Sequence, residues 1–206
     1  MEFQDVIRKR RMVRSFKDRP IPAAAVDRLL ANAVRAPSAG FSQGWAFLVL
    51  DTPADTERFW SCTWDTDDAR SGFRWQGLFD APVIIVPMSN KRAYLERYAA
   101  PDKGWTDQDE SRWPVPFWHI DTGMASMNIL LTAVDEGLGA LFFGIFAQHN
   151  DAFRREFGVP EDYTPIGAIA VGWPAEDEPS PSLKRGRRPH AEVVHRGNFV
   201  PPAEPA

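Results

Sequence analysis

LLANAVRAPSAGFSQGWAFLVL, residues 29–50, holds a helix, a loop and a strand, and its two ends obey different periods. With Val26, the residues Leu29, Leu30, Ala33 and Val34 fall at the i, i+3, i+4, i+7, i+8 spacing of one helix face. Pro22 suits the first turn of that helix, and Pro37 ends it, because the residue before a proline is pushed out of the α region. Residues 45–50, WAFLVL, form an unbroken apolar run of strand length, the pattern of a strand buried on both faces. Between them lies APSAGFSQGW, small and polar but containing Phe41 and ending in Trp45. Two readings stay open for it. It is a helix-to-strand connection with a polar tip, or it is a backbone shaped to approach a flat ligand, since small residues let the main chain come close. In the second reading Ser38, Ser42 and Gln43 supply hydrogen-bonding groups.

Working outward, residues 3–11 read as a helix that becomes strongly basic at Arg8, Lys9, Arg10 and Arg11, with Arg14 following. A helix is expected over 54–65 and a buried strand at PVIIVPM, 82–88, with a short helix over 91–98. Residues 99–117 have no period and carry prolines, charges and two tryptophans. So long a loop in a compact chain is either functional or disordered, and Trp105 and Trp113 argue against disorder, which leaves a lid or an interface arm. The longest helix is expected over 118–136, with Ile120, Met124, Met127, Leu131 and Val134 on one broad face. Ala125, Ser126 and Ala133 are small enough for close helix approach, and Gly137 is a natural C-terminal stop. Further strands are expected at 140–146 and 166–173, and a helix capped by Asn150 runs to Phe157 before Gly158 and Pro160. The tail from 174 is too polar to hold a core of its own. Helices and strands mix without strict βαβ alternation, which favours an α+β fold or a sheet between helices over a doubly wound one.

The chain has 206 residues, 44% hydrophobic and 25% charged, with a formal net charge of -4. This is ordinary globular composition for one domain. An acidic total argues against nucleic acid or an anionic membrane as partner. No apolar run reaches the roughly 18 residues of a spanning helix, and the N-terminus lacks the apolar core of a signal peptide, so a cytoplasmic protein is expected. Cys62 is the only cysteine, which excludes an intrachain disulfide. None of the four histidines stands at metal-ligand spacing, and no G-x-S-x-G nucleophile elbow occurs. His119 and Asp121 are two apart and point to different sides of a helix. Gly137–Gly144 contains G-x-G, but it follows a helix and enters a strand, the reverse of a dinucleotide fingerprint. Arg10, Arg11 and Arg14, set against Lys184, Arg185, Arg187 and Arg188, are either two solvated basic faces or two halves of one phosphate site.

In order along the chain, RKRRMVRSF (8–16), the 29–50 stretch, MASMNILLTAVDEGLGALFFGIF (124–146), IGAIAVGWP (166–174) and RRPHAEVVH (187–195) resemble the nitroreductase family of FMN flavoproteins. The resemblance implies a three-layer α/β/α sandwich with a mostly antiparallel central sheet, in an intertwined homodimer. The tail, 175–206, would cross to the partner, and the long helix would form the dimer core. Arg10, Arg11, Met12 and Arg14 match the segment that binds the FMN phosphate and ribityl chain. Arg185, Arg187 and Arg188 match the C-terminal basic residues that close on the same phosphate. Pro37, Ser38, Ala39, Gly40 and Gln43 match the segment that reaches the flavin from the other subunit. Leu141, Phe142, Phe143 and Gly144 match the strand on one ring face. Phe41, Phe143, Trp105 and Trp113 would wall the substrate pocket.

The resemblance implies ping-pong hydride transfer from NAD(P)H through FMN to a nitroaromatic, quinone or enone, with no side-chain acid or base. Other readings are a flavin store or sensor, a member using reduced deazaflavin, and a reductive dehalogenase. The chain departs from the family pattern at Met12, where serine is usual, at Phe41, where asparagine is frequent, and near Arg74 and Gly77, where asparagine and lysine are usual. Relatives that fragment their own flavin carry an acidic residue in place of Met12 and a serine near Gly144, both absent here.

Overall fold

The structure is a computed structural model and describes residues 1–64 and 67–201. Residue 65 of the helix expected over 54–65 and residues 202–206 of the expected tail fall outside it. Among the described residues the order is α1 (Phe3–Lys9), α2 (Ala23–Ala33), β1 (Trp45–Leu50), α3 (Pro53–Thr63), α4 (Asp67–Ser71), β2 (Val83–Asn90), α5 (Lys91–Ala99), α6 (Phe117–Asp135), β3 (Gly139–Phe143), α7 (Asn150–Phe157), β4 (Tyr163–Pro165), β5 (Ala168–Gly172) and α8 (His190–Val193). The strands form one sheet in the order β1-β2-β5-β3, with β4 also on β2, and every strand pairing is antiparallel.

The period of two along β2 and β5 builds two cores, one on each face of the sheet. Val83, Ile85, Ile169 and Val171 point to one face, where they meet Val26, Leu29 and Ala33 of α2 and Ile129, Leu130 and Ala133 of α6. Ile84, Val86, Ala168 and Ala170 point to the other and meet Phe59 and Trp60 of α3 and Phe153 of α7. Each fully buried Ile, Val or Phe contributes about 1.5–3 kcal/mol, so the central strands anchor both helix layers. This is the expected α+β, three-layer arrangement.

Local signals set the ends of elements. Thr52 caps α3, its Oγ1 accepting from the Asp55 N–H at 3.2 Å, and Pro53 opens the helix. Gly158 ends α7 at φ 61 and Gly137 follows α6 at φ 71, both left-handed conformations that glycine adopts without strain. Some expectations shift. α2 ends at Ala33, before Pro37, and His149 rather than Asn150 stands at the N-terminal cap of α7.

Two corrections are larger. β1 is not buried on both faces: only Leu50 is buried, because the strand lies at the edge of the sheet with β2 as its one neighbour. On α6 the buried side mixes small and polar residues, Asp121, Thr122, Ala125, Ser126 and Ala133, with Trp118, Ile129 and Leu130. Ile120, Met124 and Met127 of its apolar face are exposed in the single chain, at 42%, 37% and 44%. α1, with Phe3 and Ile7 exposed, packs on the same helix. β4 has no counterpart in the sequence reading.

Candidate functional site

Segment 10–16 leaves α1 and runs beside β3. Val13 donates its N–H to the Ala140 carbonyl at 3.0 Å, and Met12 pairs with Ala140 in a parallel bridge. Gly139 permits this approach, since a Cβ there would stand 2.9 Å from the Val13 methyls. Phe16 is tied on both sides, to the Gly77 carbonyl at 2.9 Å and to Pro174 through a bridge. Gly77 has no room for a side chain, because a Cβ would lie 2.3 Å from Ser15 Oγ. Arg14 lays its guanidinium 5.1 Å from the Trp75 ring centroid and donates to the Met12 carbonyl at 3.2 Å. Arg11 pairs with Asp177 at 3.3 Å. Among the described residues, Nη1 of Arg10 is buried without a hydrogen-bond partner. A buried guanidinium N–H without an acceptor is costly, and an anionic oxygen is the natural complement.

Segment 37–44 is held differently. Gly40, Phe41 and Gln43 have φ of 59, 55 and 49, and each non-glycine residue in that region costs on the order of 1 kcal/mol. Hydrogen bonds fix the loop in this state. The Ala39 N–H donates to Asp121 Oδ2 at 2.8 Å, the Gln43 N–H to Ser38 Oγ at 3.0 Å, and Ser42 Oγ to the Ala39 carbonyl at 2.7 Å. Arg97 Nε donates to the Gly40 carbonyl at 2.9 Å. Asp121 is buried and takes a second donor, the Tyr94 hydroxyl, at 2.8 Å. Burial first, and then Asp121, raise the Tyr94 pKa, so its phenol remains a donor. Gly40 and Gly44 are packing requirements of this chain: a Cβ would meet the Tyr98 ring at 2.6 Å and the Tyr94 ring at 2.5 Å respectively. Phe41 stands 75% exposed.

The end of β3 contributes less side-chain surface than expected. Leu141 is buried, and Phe143 stacks on Trp60 at 5.7 Å and meets Phe59 edge-on at 6.2 Å. Phe142 lies over Gly167, where a Cβ would come within 2.7 Å of its ring. A Cβ at Gly144 would meet nothing within 4 Å. Trp105 and Trp113 gather with Tyr98 at 4.9 and 4.6 Å, so segment 99–117 is pinned to α5. Trp113 also meets Tyr94, which joins this cluster to the 37–44 loop. Arg185, Arg187 and Arg188 lie on an exposed tail, Arg188 beside Glu192, and within one chain they are not bonded to segment 10–14.

Several residues that matter here carried no signal in the sequence reading. Asp121, Tyr94, Trp75 and Asp177 act through contacts between distant segments. Cys62 is part-buried against the α3 core, and burial pushes its thiol up to about 11, so it is not a reactive thiolate. Among the described residues no group of His, Cys, Asp and Glu could hold a metal ion, and no helix is long and apolar enough to cross a membrane. A cavity of about 500 Å³ opens at the Leu50 end of the sheet, lined by Asp18, Ile21, Val26, Asp51, Phe79 and Asp80 among others; it shares no lining residue with either loop.

A family model, Nitroreductase family, matches residues 7–173. The chain belongs to the nitroreductase family. That membership places it among oxidoreductases. It is 29% identical over 195 residues to a Methanothermobacter thermautotrophicus protein provisionally named NADH dehydrogenase/NAD(P)H nitroreductase, covering 93% of this chain and 87% of that one. It is also 29% identical over 205 residues to the 5,6-dimethylbenzimidazole synthase of Rhodospirillum rubrum, covering 89% of each. The fold matches the crystal structure of a provisionally assigned nitroreductase in complex with FMN from Desulfovibrio desulfuricans, with a TM-score of 0.68 at 24% identity over 97% of this chain and 99% of that one.

Proposed function

We propose that the protein is an FMN-dependent NAD(P)H oxidoreductase that works as an intertwined homodimer of one domain, 1–206. The observation that carries this reading is the buried, unpartnered Nη1 of Arg10 in a segment fixed by its backbone beside β3. That geometry suits a phosphate, which takes bidentate and charge-assisted bonds from arginine. Arg10, with Arg11 and Arg14, would hold the FMN phosphate and ribityl chain beside Met12, which offers no hydroxyl. Arg185, Arg187 and Arg188 would close on the phosphate. The end of β3, Leu141–Gly144, would lie along one face of the ring system, where open Gly144 leaves space. Pro37, Ser38, Ala39, Gly40 and Gln43 would arrive from the partner subunit.

The dimer is supported by exposed Ile120, Met124 and Met127 of α6 and Phe3 and Ile7 of α1, apolar side chains that a partner subunit would cover, and by β1, an edge strand only half covered. A cleft between subunits also accounts for the 500 Å³ cavity lying elsewhere, because a site shared by two chains is not closed in one.

When bound, FMN supplies hydride transfer from a reduced nicotinamide to a flat acceptor such as a nitroaromatic, quinone or enone. The chain positions and encloses; no side-chain acid or base is needed. Phe41, in a strained and exposed loop position, would stack on donor or acceptor in turn. Trp105 and Trp113, packed on Tyr98 behind Gly40, would back that loop. Phe143, seated against Trp60, would shape the floor. The contribution of 99–117 is therefore that of a brace behind the pocket as much as a lid.

The purified protein should show oxidised-flavin absorption near roughly 450 nm, or regain it with added FMN. Stopped-flow mixing with NADH or NADPH should bleach it, and a quinone or nitroaromatic should restore it. A colourless protein that cannot be reconstituted would remove the reading. Flavin that stays oxidised with either nicotinamide would favour a store, a sensor or a deazaflavin donor.

A further inference from the structure

At the root of the tail, in Ala175-Glu176-Asp177-Glu178, Asp177 lies against the arginine segment while Glu176 and Glu178 stay exposed. The strap begins where Phe16 bridges Pro174 and the Ala175 N–H donates to the Ser15 carbonyl at 3.0 Å. Asp177 comes next. Its side chain is only 2% exposed, and its Oδ2 accepts from the Arg14 N–H at 2.8 Å and from Arg11 Nη1 at 3.3 Å. One residue on, the Glu178 carbonyl accepts from Trp75 Nε1 at 3.1 Å and its carboxylate pairs with Arg74 at 2.8 Å. Trp75 is the ring under Arg14. The strap therefore grips the backbone of Arg14 on one side and the platform of its guanidinium on the other. Beyond it the chain becomes exposed, so this is the point where the tail leaves the subunit.

A carboxylate so buried must be held by strong partners or it would not stay charged and dry. Here the principal partner is a backbone N–H, which fixes position where a flexible side chain would not. Arg11 is 56% exposed, so its ion pair is screened and adds less. Among the described residues Asp177 Oδ1 is buried without a hydrogen-bond partner, so the carboxylate is held through Oδ2.

We propose that Asp177 is a positioning residue for phosphate recognition: by holding the Arg14 main chain, it sets the 10–14 segment in register for an anion and ties that register to the departing tail. The inference rests on the reading of 10–14 as the phosphate cradle of FMN. A competing anion is the opposite prediction, since a carboxylate that occupied the cradle would have to be displaced by the phosphate.

The test is the affinity of flavin-free protein for FMN and for riboflavin, which lacks the phosphate, in wild type, Asp177→Ala and Asp177→Asn. Thermal unfolding of each flavin-free protein serves as the fold control. Wild type should bind FMN far more tightly than riboflavin. Asp177→Ala strands the Arg14 N–H and should cut that preference about ten-fold, the size of one lost charge-assisted hydrogen bond, while riboflavin affinity stays put. Asp177→Asn keeps a carbonyl acceptor at the same place and should restore the preference to within about three-fold of wild type. A merely structural role would lower both affinities together and leave their ratio unchanged, which overturns the proposal. Tighter FMN binding in both variants overturns it in favour of a competing anion. A wild type that does not prefer FMN to riboflavin overturns the cradle reading and this inference with it.

Discussion

Segment 10–16 is held by its backbone and leaves charged side-chain atoms open, whereas segment 37–44 is held by side chains and leaves its main chain bent. In the first, Val13 and Phe16, with Lys17 just beyond, donate main-chain N–H groups to Ala140, Gly77 and Trp173, while Nη1 of Arg10 is buried without a partner among the described residues. In the second, Asp121, Ser38 and Arg97 grip a loop with three residues at positive φ. On the proposed function the difference separates two tasks. A charged donor set recognises by electrostatics and tolerates small displacements, because Coulomb attraction falls slowly with distance. A locked, strained backbone recognises by shape and tolerates none.

The comparison predicts where each loop breaks. Asp121→Ala should have the largest effect, since it leaves the Ala39 N–H and the Tyr94 hydroxyl without an acceptor in the interior. Two stranded donors cost about 3 kcal/mol together. Denaturant unfolding of the flavin-free protein measures it, and Asp121→Asn should lose less than half as much. A loss below about 1 kcal/mol in the alanine variant would mean that the loop is not held by this bracket. Arg10→Ala comes next and should behave in the opposite way. Flavin-free stability should hardly change, while FMN affinity drops about ten- to a hundred-fold, with a shallower dependence on salt. Arg14→Ala should be milder, because its guanidinium already rests on Trp75 and the Met12 carbonyl.

The same contrast decides what could be read from sequence. Composition-borne features were legible: the 3.6 period of α2, the apolar runs of β2 and β5, the glycines after α6 and α7, and the basic run at 8–14. These are local, and local rules suffice for them. β1 misled because an apolar run states that side chains avoid water, not which surface covers them, and at a sheet edge only one flank has a neighbouring strand. Asp121, Tyr94 and Asp177 were illegible because each works across a large sequence separation: Asp121 to Ala39, Tyr94 to Asp121, Asp177 to Arg14. A lone aspartate in a helix or an acidic tail looks solvated until its partner is in place. Gly40 shows the intermediate case. Its smallness was legible, but within this chain it is the Tyr98 ring that demands it.

Tyr94→Phe sharpens the comparison at a smaller scale. It removes one of the two donors to Asp121 and keeps the ring against Trp113 and Trp118. A net hydrogen bond of this kind is worth about 1 kcal/mol. Stability should fall by that amount, and the Michaelis constant for the acceptor should rise more than FMN affinity changes, because segment 10–14, the proposed phosphate cradle, is untouched. An equal change in both would show that the two loops are not separable.

The smallest effect concerns pH, and it too should fall on one loop only. His119 stands two residues before Asp121, with Nδ1 2.8 Å from Ser89 Oγ, and Ser89 pairs across the sheet with Trp45 at the exit of the 37–44 loop. Burial, followed by the charge of Lys91, lowers the His119 pKa below the usual histidine value. The unfolded chain therefore takes up its proton at higher pH than the folded one does. Above about pH 6.5 both states are neutral and nothing changes. As the pH falls below that value the unfolded state gains protons first, so stability declines until the lower folded-state pKa is passed. Thermal unfolding between about pH 7 and 5 should show this decline in wild type and a shallower one in His119→Gln. Arginine keeps its charge throughout that range, so segment 10–16 has no reason to respond. A decline of equal steepness in the variant would place the acid sensitivity elsewhere than at the root of the locked loop.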